Sequence, residues 1–268
     1  MSTVTFFKAR TTNAYSFKIL AELLSNNLKI GHFTIDDAGI GLQMMDSHRR
    51  VLISLFLQAE NFTHFKISRK LYIGINLQYL HRMLRSVKKK DTLELSISDD
   101  NAMKLAIKVY PKDNNRVTTS HVTIQNVQEI EIEMPPIETK PIIIPAAEFQ
   151  KMLKEMSAIG NTISISASRT RISFKCETSG IIERTVEFGD DLGGPESEAE
   201  VVDVPRYNES FLIEQLTRIT KLAGLSNVIK VYPGNPLMFK SCIDNMGEIS
   251  IYIKNRDQIE LDNHIEVE

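Results

Sequence analysis

The 268-residue sequence has only two cysteines and no apolar run long enough to cross a membrane. Cys176 and Cys242 form no Cys-x-x-Cys pair, which excludes a disulfide framework and a four-cysteine zinc site. We expect both to be reduced thiols in or near a core. Met1–Arg10 lacks the apolar stretch of a secretory signal, so the sequence predicts a soluble, intracellular protein.

An excess of one charge is also missing, because 32 lysines and arginines nearly balance 34 aspartates and glutamates, for a net charge of -2. This excludes a uniformly basic surface but allows one basic face that acidic faces balance elsewhere. Hydrophobic residues make up 42% and charged residues 25%, which excludes disorder of the whole chain. The length favours two domains, at roughly 100 to 200 residues per domain.

The sequence patterns of common catalytic and metal sites are absent. The six histidines form no His-x-His or His-Glu-x-x-His pattern, and Gly39–Gly41 lacks the rest of a phosphate-binding loop. Adjacent aspartates at 36–37, 99–100 and 190–191 lie in predicted turns or polar loops, where they form local hydrogen bonds. We therefore predict a protein that is not an enzyme and has no cofactor or metal.

What the sequence does contain is four segments with helical periodicity. They are Ala14–Asn27, a segment that begins after the cap Asn76, one from Pro145 to Gly160, and one that begins after Asn208 and ends at Gly224. Their apolar stripes are Phe17, Leu20 and Leu24; Leu77, Leu80, Leu84 and Val87; Phe149, Met152, Leu153 and Met156; and Leu212, Leu216 and Ile219. The segments between them are short, rich in β-branched residues and typical of strands.

The spacing of the four helices predicts a duplication. Their starts at about 14, 77, 146 and 209 are 63 residues apart within each half and 132 apart between halves. We predict an α+β chain of two similar domains, each with β-sheets backed by two helices: residues 1–126 and 141–268. Residues 127–140 form an extended interdomain connector, in which Ile130, Ile132 and Met134 alternate with glutamates before Pro135-Pro136.

Basic residues dominate the helix faces opposite the apolar stripes. Of twelve outward positions, three are acidic and seven are basic, namely Lys18, Arg82, Arg85, Lys151, Lys154, Arg218 and Lys221. Cations without exposed aromatics suit contacts with the phosphates of duplex DNA rather than base readout or single-strand binding. The alternative is an ordinary solvated surface, which is the better interpretation of any one helix taken alone.

Six short motifs run in order along almost the whole chain. They are Gly39–Ser47 followed by Leu52 and Leu55, Gly74–Leu77, Glu148-Phe149, Ser157–Gly160, Thr220-Lys221, and Asp244–Gly247 leading to Tyr252. In their order and spacing the chain resembles the eukaryotic and archaeal sliding clamps, the proliferating cell nuclear antigen family.

The resemblance implies a duplicated DNA-clamp fold that closes into a homotrimeric ring around duplex DNA and acts as a polymerase processivity factor. All the basic residues above except Arg218 fall where the family carries basic residues lining the hole. The strands pairing across subunits would be Val117–Ile124 and Ile181–Glu187, with Val117, Thr119, His121, Thr123, Ile181, Glu183 and Thr185 at the subunit interface. Two open edges paired head to tail leave no exposed sheet edge.

The resemblance also implies a pocket beneath the connector for short peptide motifs of a DNA polymerase, clamp loader, ligase or nuclease. It would be formed by Met45, Leu52, Ile132, Met134, Pro135, Pro236, Tyr252 and Ile253. Ordinary core packing is the alternative role for these residues. Arg49, Arg50, Asn255 and Ser25 depart from the family pattern, which fits a viral or distant eukaryotic member, in the nucleus or at a cytoplasmic replication site.

Other assemblies and activities stay open. The same fold serves a heterotrimeric checkpoint-type clamp or a monomeric processivity factor, and a metal-dependent nuclease is the least favoured alternative. Lys88–Lys90 and the acidic, glycine-rich Gly189–Glu200 loop have no role that the resemblance assigns.

Overall fold

The computed structural model describes residues 5–113, 116–130, 132–178, 180–189 and 207–265. Its first half contains β1 (Thr5–Thr11), α1 (Ala14–Asn27), β2 (Ile30–Asp36), β3 (Gly39–Met45), β4 (Val51–Gln58), β5 (His64–Ile67), β6 (Leu71–Asn76), α2 (Leu77–Leu84), β7 (Thr92–Ser98), β8 (Lys104–Tyr110) and β9 (Thr118–Asn126). The second half contains β10 (Ile142–Pro145), α3 (Ala146–Met156), β11 (Thr162–Ala167), β12 (Arg171–Thr178), β13 (Ile182–Gly189), β14 (Tyr207–Leu212), α4 (Ile213–Thr217), β15 (Val228–Tyr232), β16 (Leu237–Ile243), β17 (Gly247–Ile253) and α5 (Arg256–Ile265).

The chain divides into two compact units. Unit 1 comprises Met1–Ser47, Leu52–Glu133 and Cys242–Ser250, and unit 2 comprises His48–Val51, Met134–Ser241 and Ile251–Glu268. Each unit therefore takes one short segment from the other half of the sequence. None of the helices in the described ranges has the length and hydropathy of a bilayer-spanning segment.

Unit 1 is built on antiparallel strands in the order β4–β3–β2–β6–β9–β8–β7–β1–β5. Side chains along β2 and β9 alternate between buried and more exposed positions, as expected for strands with one face on a core. At the β2–β3 turn, Asp36 Oδ1 accepts the backbone N–H groups of Ala38 and Gly39 at 3.0 and 3.3 Å. The predicted turn role of this aspartate is confirmed.

Two helices, α1 and α2, pack against one another in unit 1. Their apolar stripes are buried as predicted, with Leu20 at 2% and Leu80 at 3% exposure. The predicted cap of α2 is also confirmed, because Asn76 Oδ1 accepts the backbone N–H of Tyr79 at 3.1 Å. This bond satisfies one of the donors that the first helical turn leaves without an intrahelical partner.

Replacing Asn76 by Ala is expected to lower the free energy of unfolding by about 1 kcal/mol, the usual cost of losing an N-cap side chain. The Asn76→Asp variant keeps an acceptor at the same position and serves as the control. Urea denaturation followed by circular dichroism measures both variants. Equal stabilities for the Ala and Asp variants would contradict a capping role.

Unit 2 contains two antiparallel sheets, β10–β15–β16 and β13–β12–β11–β14. Its core is aromatic: the ring of Phe149, on α3, lies 6.0 Å from that of Phe174 and 5.4 Å from that of Phe239. All three side chains are fully buried. The predicted apolar stripe of α3 therefore packs this helix against both sheets of unit 2.

The prediction for the fourth helix was wrong at its start. Tyr207–Leu212 is a strand that pairs with β11, with Ile163 opposite Phe211, and α4 begins only at Ile213. Helix starts are thus at 14, 77, 146 and 213, and their spacing is 63 in the first half but 67 in the second. A 3₁₀ turn at Thr220–Gly224 replaces the predicted last helical turns.

Three further features differ from the sequence-based expectation. Helix α5, at Arg256–Ile265, was not predicted. Cys176 is buried as expected, and burial raises the pKa of its thiol, but Cys242 is exposed, so the prediction of a core or near-core position for it was wrong. In the connector, Ile130 is 61% exposed, so the predicted apolar face does not pack at this residue, although the described parts of residues 127–140 form no helix or strand, as expected for the extended connector.

Candidate functional site

The basic residues of unit 1 lie on the outward sides of α1 and α2. Arg82 and Arg85 are exposed, and the Arg82 guanidinium lies 5.6 Å from the centroid of the Tyr79 ring. Lys18 is half-buried, and its Nζ donates to the backbone carbonyl of Val87 at 3.2 Å. All three predicted cations of unit 1 therefore belong to one pair of packed helices.

In unit 2 the corresponding residues lie on α3, α4 and the 3₁₀ turn that follows. Lys151 and Lys154 are exposed, and no ion pair to either occurs among the described residues. Gln150 Nε2 donates to the Thr220 carbonyl at 3.1 Å and links α3 to the turn that carries the half-buried Lys221. Helix and turn are thus held side by side with their lysines outward.

Arg218 has a different environment from the other six basic residues. Its guanidinium forms an ion pair with Glu214, one helical turn earlier, and the side chain is half-buried. Part of its charge is therefore neutralised locally, whereas phosphate binding uses uncompensated positive charge. Arg218 is therefore a weaker candidate for a DNA contact than Arg82, Arg85, Lys151 and Lys154.

The residues predicted for the peptide pocket differ in exposure. In unit 1, Met45 is 38% exposed, Leu52 is buried opposite it on β4, and Ile132 is half-buried. In unit 2, Met134, Pro135 and Pro236 are half-buried, whereas Tyr252 and Ile253 are buried. Of the eight residues, Leu52, Tyr252 and Ile253 are buried, and Met45 is the most exposed.

A contact that the sequence did not predict holds the start of the connector to unit 1. The carboxylate of Glu129 accepts a hydrogen bond from the Tyr72 hydroxyl at 2.6 Å and pairs with Lys70 Nζ at 3.0 Å. Lys70 Nζ also lies 5.0 Å from the Tyr72 ring centroid. We call these three residues the connector clamp. Its signal in the sequence is weak, because the partners are 57 and 59 residues apart.

The charges of the connector clamp persist over a wide pH range. Hydrogen bonds from Tyr72 and Lys70 lower the pKa of Glu129 from its ordinary value of 4.5, and those with Tyr72 and Glu129 raise the pKa of Lys70 above 10.5. A lowered carboxyl pKa means that the contact is present above pH 4.5 and lost as the pH falls further. Because the lysine pKa is raised, the contribution of Lys70 to the contact is complete below pH 10.5 and is lost only as the pH rises through the raised pKa.

Replacing Glu129 by Gln is expected to loosen the connector, because an amide is a weaker acceptor than a carboxylate and forms no ion pair. Amide hydrogen exchange at residues 127–130 should become severalfold faster, while the urea midpoint of unfolding stays unchanged because the groups are exposed. The matched control is Glu133→Gln, which removes a charge from the same connector. Equal exchange in the two variants would show that the clamp does not order this segment.

The two predicted interface strands each have one open edge. Residues 118–123 of β9 pair with β8, and only residues 124–126 pair with β6 on the other side. Val117, Thr119, His121 and Thr123 are exposed, whereas Val122 and Ile124 are buried. Within the described residues, β9 therefore offers one unpaired edge with its alternate side chains in solvent.

Strand β13 ends its sheet and pairs only with β12 among the described strands. Ile181 is 82% exposed, and Glu183 and Thr185 are also exposed. An exposed strand edge with large apolar side chains invites pairing with another strand. Units 1 and 2 thus each contain one predicted interface strand with an unpaired edge; β5, β10 and β14 are further terminal strands of the described sheets.

A cleft of about 330 Å³ beside β9 adds residues that the sequence did not single out. Its lining includes Tyr79 and Met83 from α2 together with His121 and Thr123 from β9. Tyr79 is 53% exposed, which is unusual for a large aromatic side chain on a helix. In the sequence, the signal for this cleft was Tyr79, an aromatic residue that lies away from the apolar stripe of α2.

A metal centre is not apparent in the part of the chain that the structure describes, since no group of three His, Cys, Asp or Glu side chains there could hold an ion. The Asp99-Asp100 pair opens a 3₁₀ turn. The Asp190-Asp191 pair and most of the Gly189–Glu200 loop lie outside the described residues.

Comparison with known proteins gives matches along nearly the whole chain. A crystal structure of proliferating cellular nuclear antigen from Entamoeba histolytica superposes with a TM-score of 0.81 at 21% identity, covering 94% of this chain and 100% of that one, which supports the fold. Proliferating cell nuclear antigen of Chaetomium thermophilum is 23% identical over 250 residues, which are 92% of this chain and 96% of that protein. A protein of Paramecium bursaria Chlorella virus 1 named "Probable DNA polymerase sliding clamp 1" is 24% identical over 254 residues, 92% of this chain and 95% of that protein.

The family models divide the chain between two domains. Residues 6–133 match the N-terminal domain of proliferating cell nuclear antigen, and residues 134–256 match its C-terminal domain. Together with the duplicated α+β fold and the ordered motifs, these matches show that the chain belongs to the proliferating cell nuclear antigen family.

Proposed function

We propose that the chain is a subunit of a DNA sliding clamp, a non-enzymatic ring that encircles duplex DNA and holds a polymerase on its template. The observation that carries the proposal is the presence of outward basic residues on packed helices in both units of this family's fold. Arg82 and Arg85 in unit 1 and Lys151 and Lys154 in unit 2 are exposed and lack ion-pair partners among the described residues.

Sliding requires contacts whose energy hardly changes from one base pair to the next. Phosphate contacts carry no sequence information and are weakened by salt, since each releases condensed counterions. Flexible lysines and water-bridged contacts can exchange one phosphate for the next without a fixed register. The cationic helix faces have this chemistry. The expectation that they carry no exposed aromatic was wrong, because Tyr79 on α2 is 53% exposed beside Arg82.

Ring closure in the proposal uses the open edges of β9 and β13. Pairing β9 of one subunit with β13 of the next is a head-to-tail contact, and three such contacts close a homotrimer. The closed ring would cover Val117, Thr119, His121, Thr123, Ile181, Glu183 and Thr185. The cleft with Tyr79 and Met83 would lie next to the same contact, since it includes His121 and Thr123.

Partner proteins would dock through short peptides at the connector. Met45, Ile132 and Met134 supply apolar surface for the aromatic and aliphatic anchors typical of such peptides. The connector clamp would position this segment from its unit 1 end. Candidate partners are a DNA polymerase, a clamp loader, and a ligase or nuclease, at a nuclear or, for a viral protein, a cytoplasmic replication site.

The mass in solution tests the assembly. Light scattering is expected to give three times the mass of one chain, and the assembled protein should raise the processivity of a polymerase on primed circular DNA. A mass of one chain with retained stimulation would favour a monomeric processivity factor. Trimers that form only with other, different chains would favour a checkpoint-type clamp, and metal-dependent cleavage of DNA by the pure protein would contradict the proposal.

A further inference from the structure

Three consecutive lysines, Lys88–Lys90, follow α2 and have no role in the proposed function so far. All three are exposed. The preceding residue, Val87, is buried. Its carbonyl oxygen accepts a hydrogen bond from Lys18 Nζ at 3.2 Å. The lysine run therefore begins where α1 and α2 are tied together, next to the basic faces of these helices.

The ring of Tyr15 lies close to two lysines, Lys18 and Lys89. Tyr15, on α1, lies with its ring centroid 5.5 Å from Lys18 Nζ and 5.8 Å from Lys89 Nζ. Cation–π attraction holds an ammonium near a ring face without neutralising its charge. Both lysines thus keep their positive charge while their positions are restricted. We call Tyr15, Lys18 and Lys88–Lys90 the lysine cluster.

No ion pair to Lys18 or to Lys88–Lys90 occurs within the ranges that the structure describes. Asp91, which follows the run, is buried, and its carboxylate accepts the backbone N–H of Lys88 at 2.9 Å. Residues 82–90 contain no acid, and Arg82 and Arg85 extend the positive charge along α2. Like charges within a Debye length of about 10 Å repel one another, and a bound polyanion removes that repulsion.

We infer that the lysine cluster is an additional binding surface for the sugar-phosphate backbone of DNA, which extends the helix faces of unit 1 past the end of α2. The inference rests on the proposed function and deepens it. Nucleic acid is favoured over an acidic protein because the run offers no exposed apolar side chain, whereas protein interfaces need apolar anchors and are depleted in lysine. DNA backbone needs only charge at suitable spacing.

Unit 2 has no equivalent of the lysine cluster. The residues after its 3₁₀ turn, Leu225–Ile229, contain no lysine or arginine. Arg218 in unit 2 is paired with Glu214, whereas Arg82 and Arg85 in unit 1 have no acidic partner among the described residues. The two units therefore differ in cationic charge, and we infer that unit 1 makes the larger share of phosphate contacts.

The test is the salt dependence of binding to a fluorescent 40-base-pair duplex, measured by anisotropy with the assembled protein over a series of NaCl concentrations. In Lys88→Ala/Lys89→Ala/Lys90→Ala, we expect about tenfold weaker binding near 100 mM salt. The slope of log K against log salt should be smaller by about two to three for each subunit whose cluster contacts the duplex, since each lost contact removes about 0.9. The control, Lys66→Ala/Lys112→Ala/Lys140→Ala, removes three other exposed lysines and should keep the wild-type slope.

The role of Tyr15 has its own pair of variants. Tyr15→Phe keeps the ring face and should bind duplex as the wild type does, whereas Tyr15→Leu removes the cation–π contacts and should bind severalfold more weakly. Light scattering on every variant checks that assembly is unchanged.

Three results would overturn the inference. They are equal salt slopes for the cluster triple variant and its control, equal binding by the two Tyr15 variants, or loss of binding to a polyglutamate peptide with unchanged DNA binding. Failure of the proposed function looks different, because wild-type protein would then show no salt-dependent binding to duplex at all.

Discussion

Reversing Lys151, Lys154 and Lys221 to glutamate is expected to abolish stimulation of a polymerase on primed circular DNA while the ring stays assembled. Each subunit then presents three anions in place of three cations, so attraction to phosphate becomes repulsion at every position. Loss of even a few phosphate contacts lowers DNA affinity by orders of magnitude at moderate salt, and we expect a fall of more than about 100-fold. The measurements are primer-extension length, duplex binding and mass in solution.

A control variant with three other charge reversals distinguishes an effect of these positions from an effect of the change in net charge. Arg169→Glu/Arg171→Glu/Lys230→Glu changes three other exposed cations of unit 2, outside the connector, and each substitution carries the same change of charge. It should retain most of the stimulation. Normal stimulation by the Lys151, Lys154 and Lys221 variant would remove the basic helix faces of unit 2 from the proposal, even if the trimer were found.

The second large effect is expected at the open edge of β9. Thr119→Glu/Thr123→Glu should convert the trimer to single chains, because the proposed partner strand β13 already carries Glu183 and Glu187, and like charges across strands are destabilising. Both threonines are exposed, so the fold of the separate subunit should persist. Light scattering should then give the mass of one chain, and polymerase stimulation should disappear.

Lysine at the same two positions is the control for that variant. Thr119→Lys/Thr123→Lys places the opposite charge beside the same glutamates and should leave the trimer intact. A trimer in both variants would contradict the pairing of β9 with β13. Single chains in both would show that the edge tolerates no charged side chain, and would leave the strand pairing supported but its charge preference refuted.

The periodicity of apolar residues predicted three of the four helices, because their buried side chains recur with the 3.6-residue repeat of a helix. It failed at Tyr207–Leu212, where Leu212, Leu216 and Ile219 have helical spacing although Leu212 ends a strand. Apolar residues four apart satisfy a helix stripe, and the same spacing places them on one face of a strand. Only the ladder with β11, at a sequence distance of 40 to 50 residues, decides between the two.

The exposed cations of the candidate site were predictable from the same helix faces. Arg218 shows what that reasoning omitted, because Glu214 lies four residues before it and the spacing itself predicts an ion pair. The connector clamp could not have been predicted, since nothing local links Glu129 to Tyr72. The peptide-pocket residues are also ambiguous in sequence, because Tyr252 and Ile253 are buried whether they line a pocket floor or pack a core.

The two open strand edges also have a consequence for the newly made chain. A subunit that has not yet met its neighbours presents bare backbone donors and acceptors on β9 and β13, which are sites for mispairing and aggregation. In the proposed ring, pairing of these edges would therefore prevent aggregation as well as close the clamp. A cell or virus producing this chain in small amounts would face a kinetic competition between productive closure and misassembly.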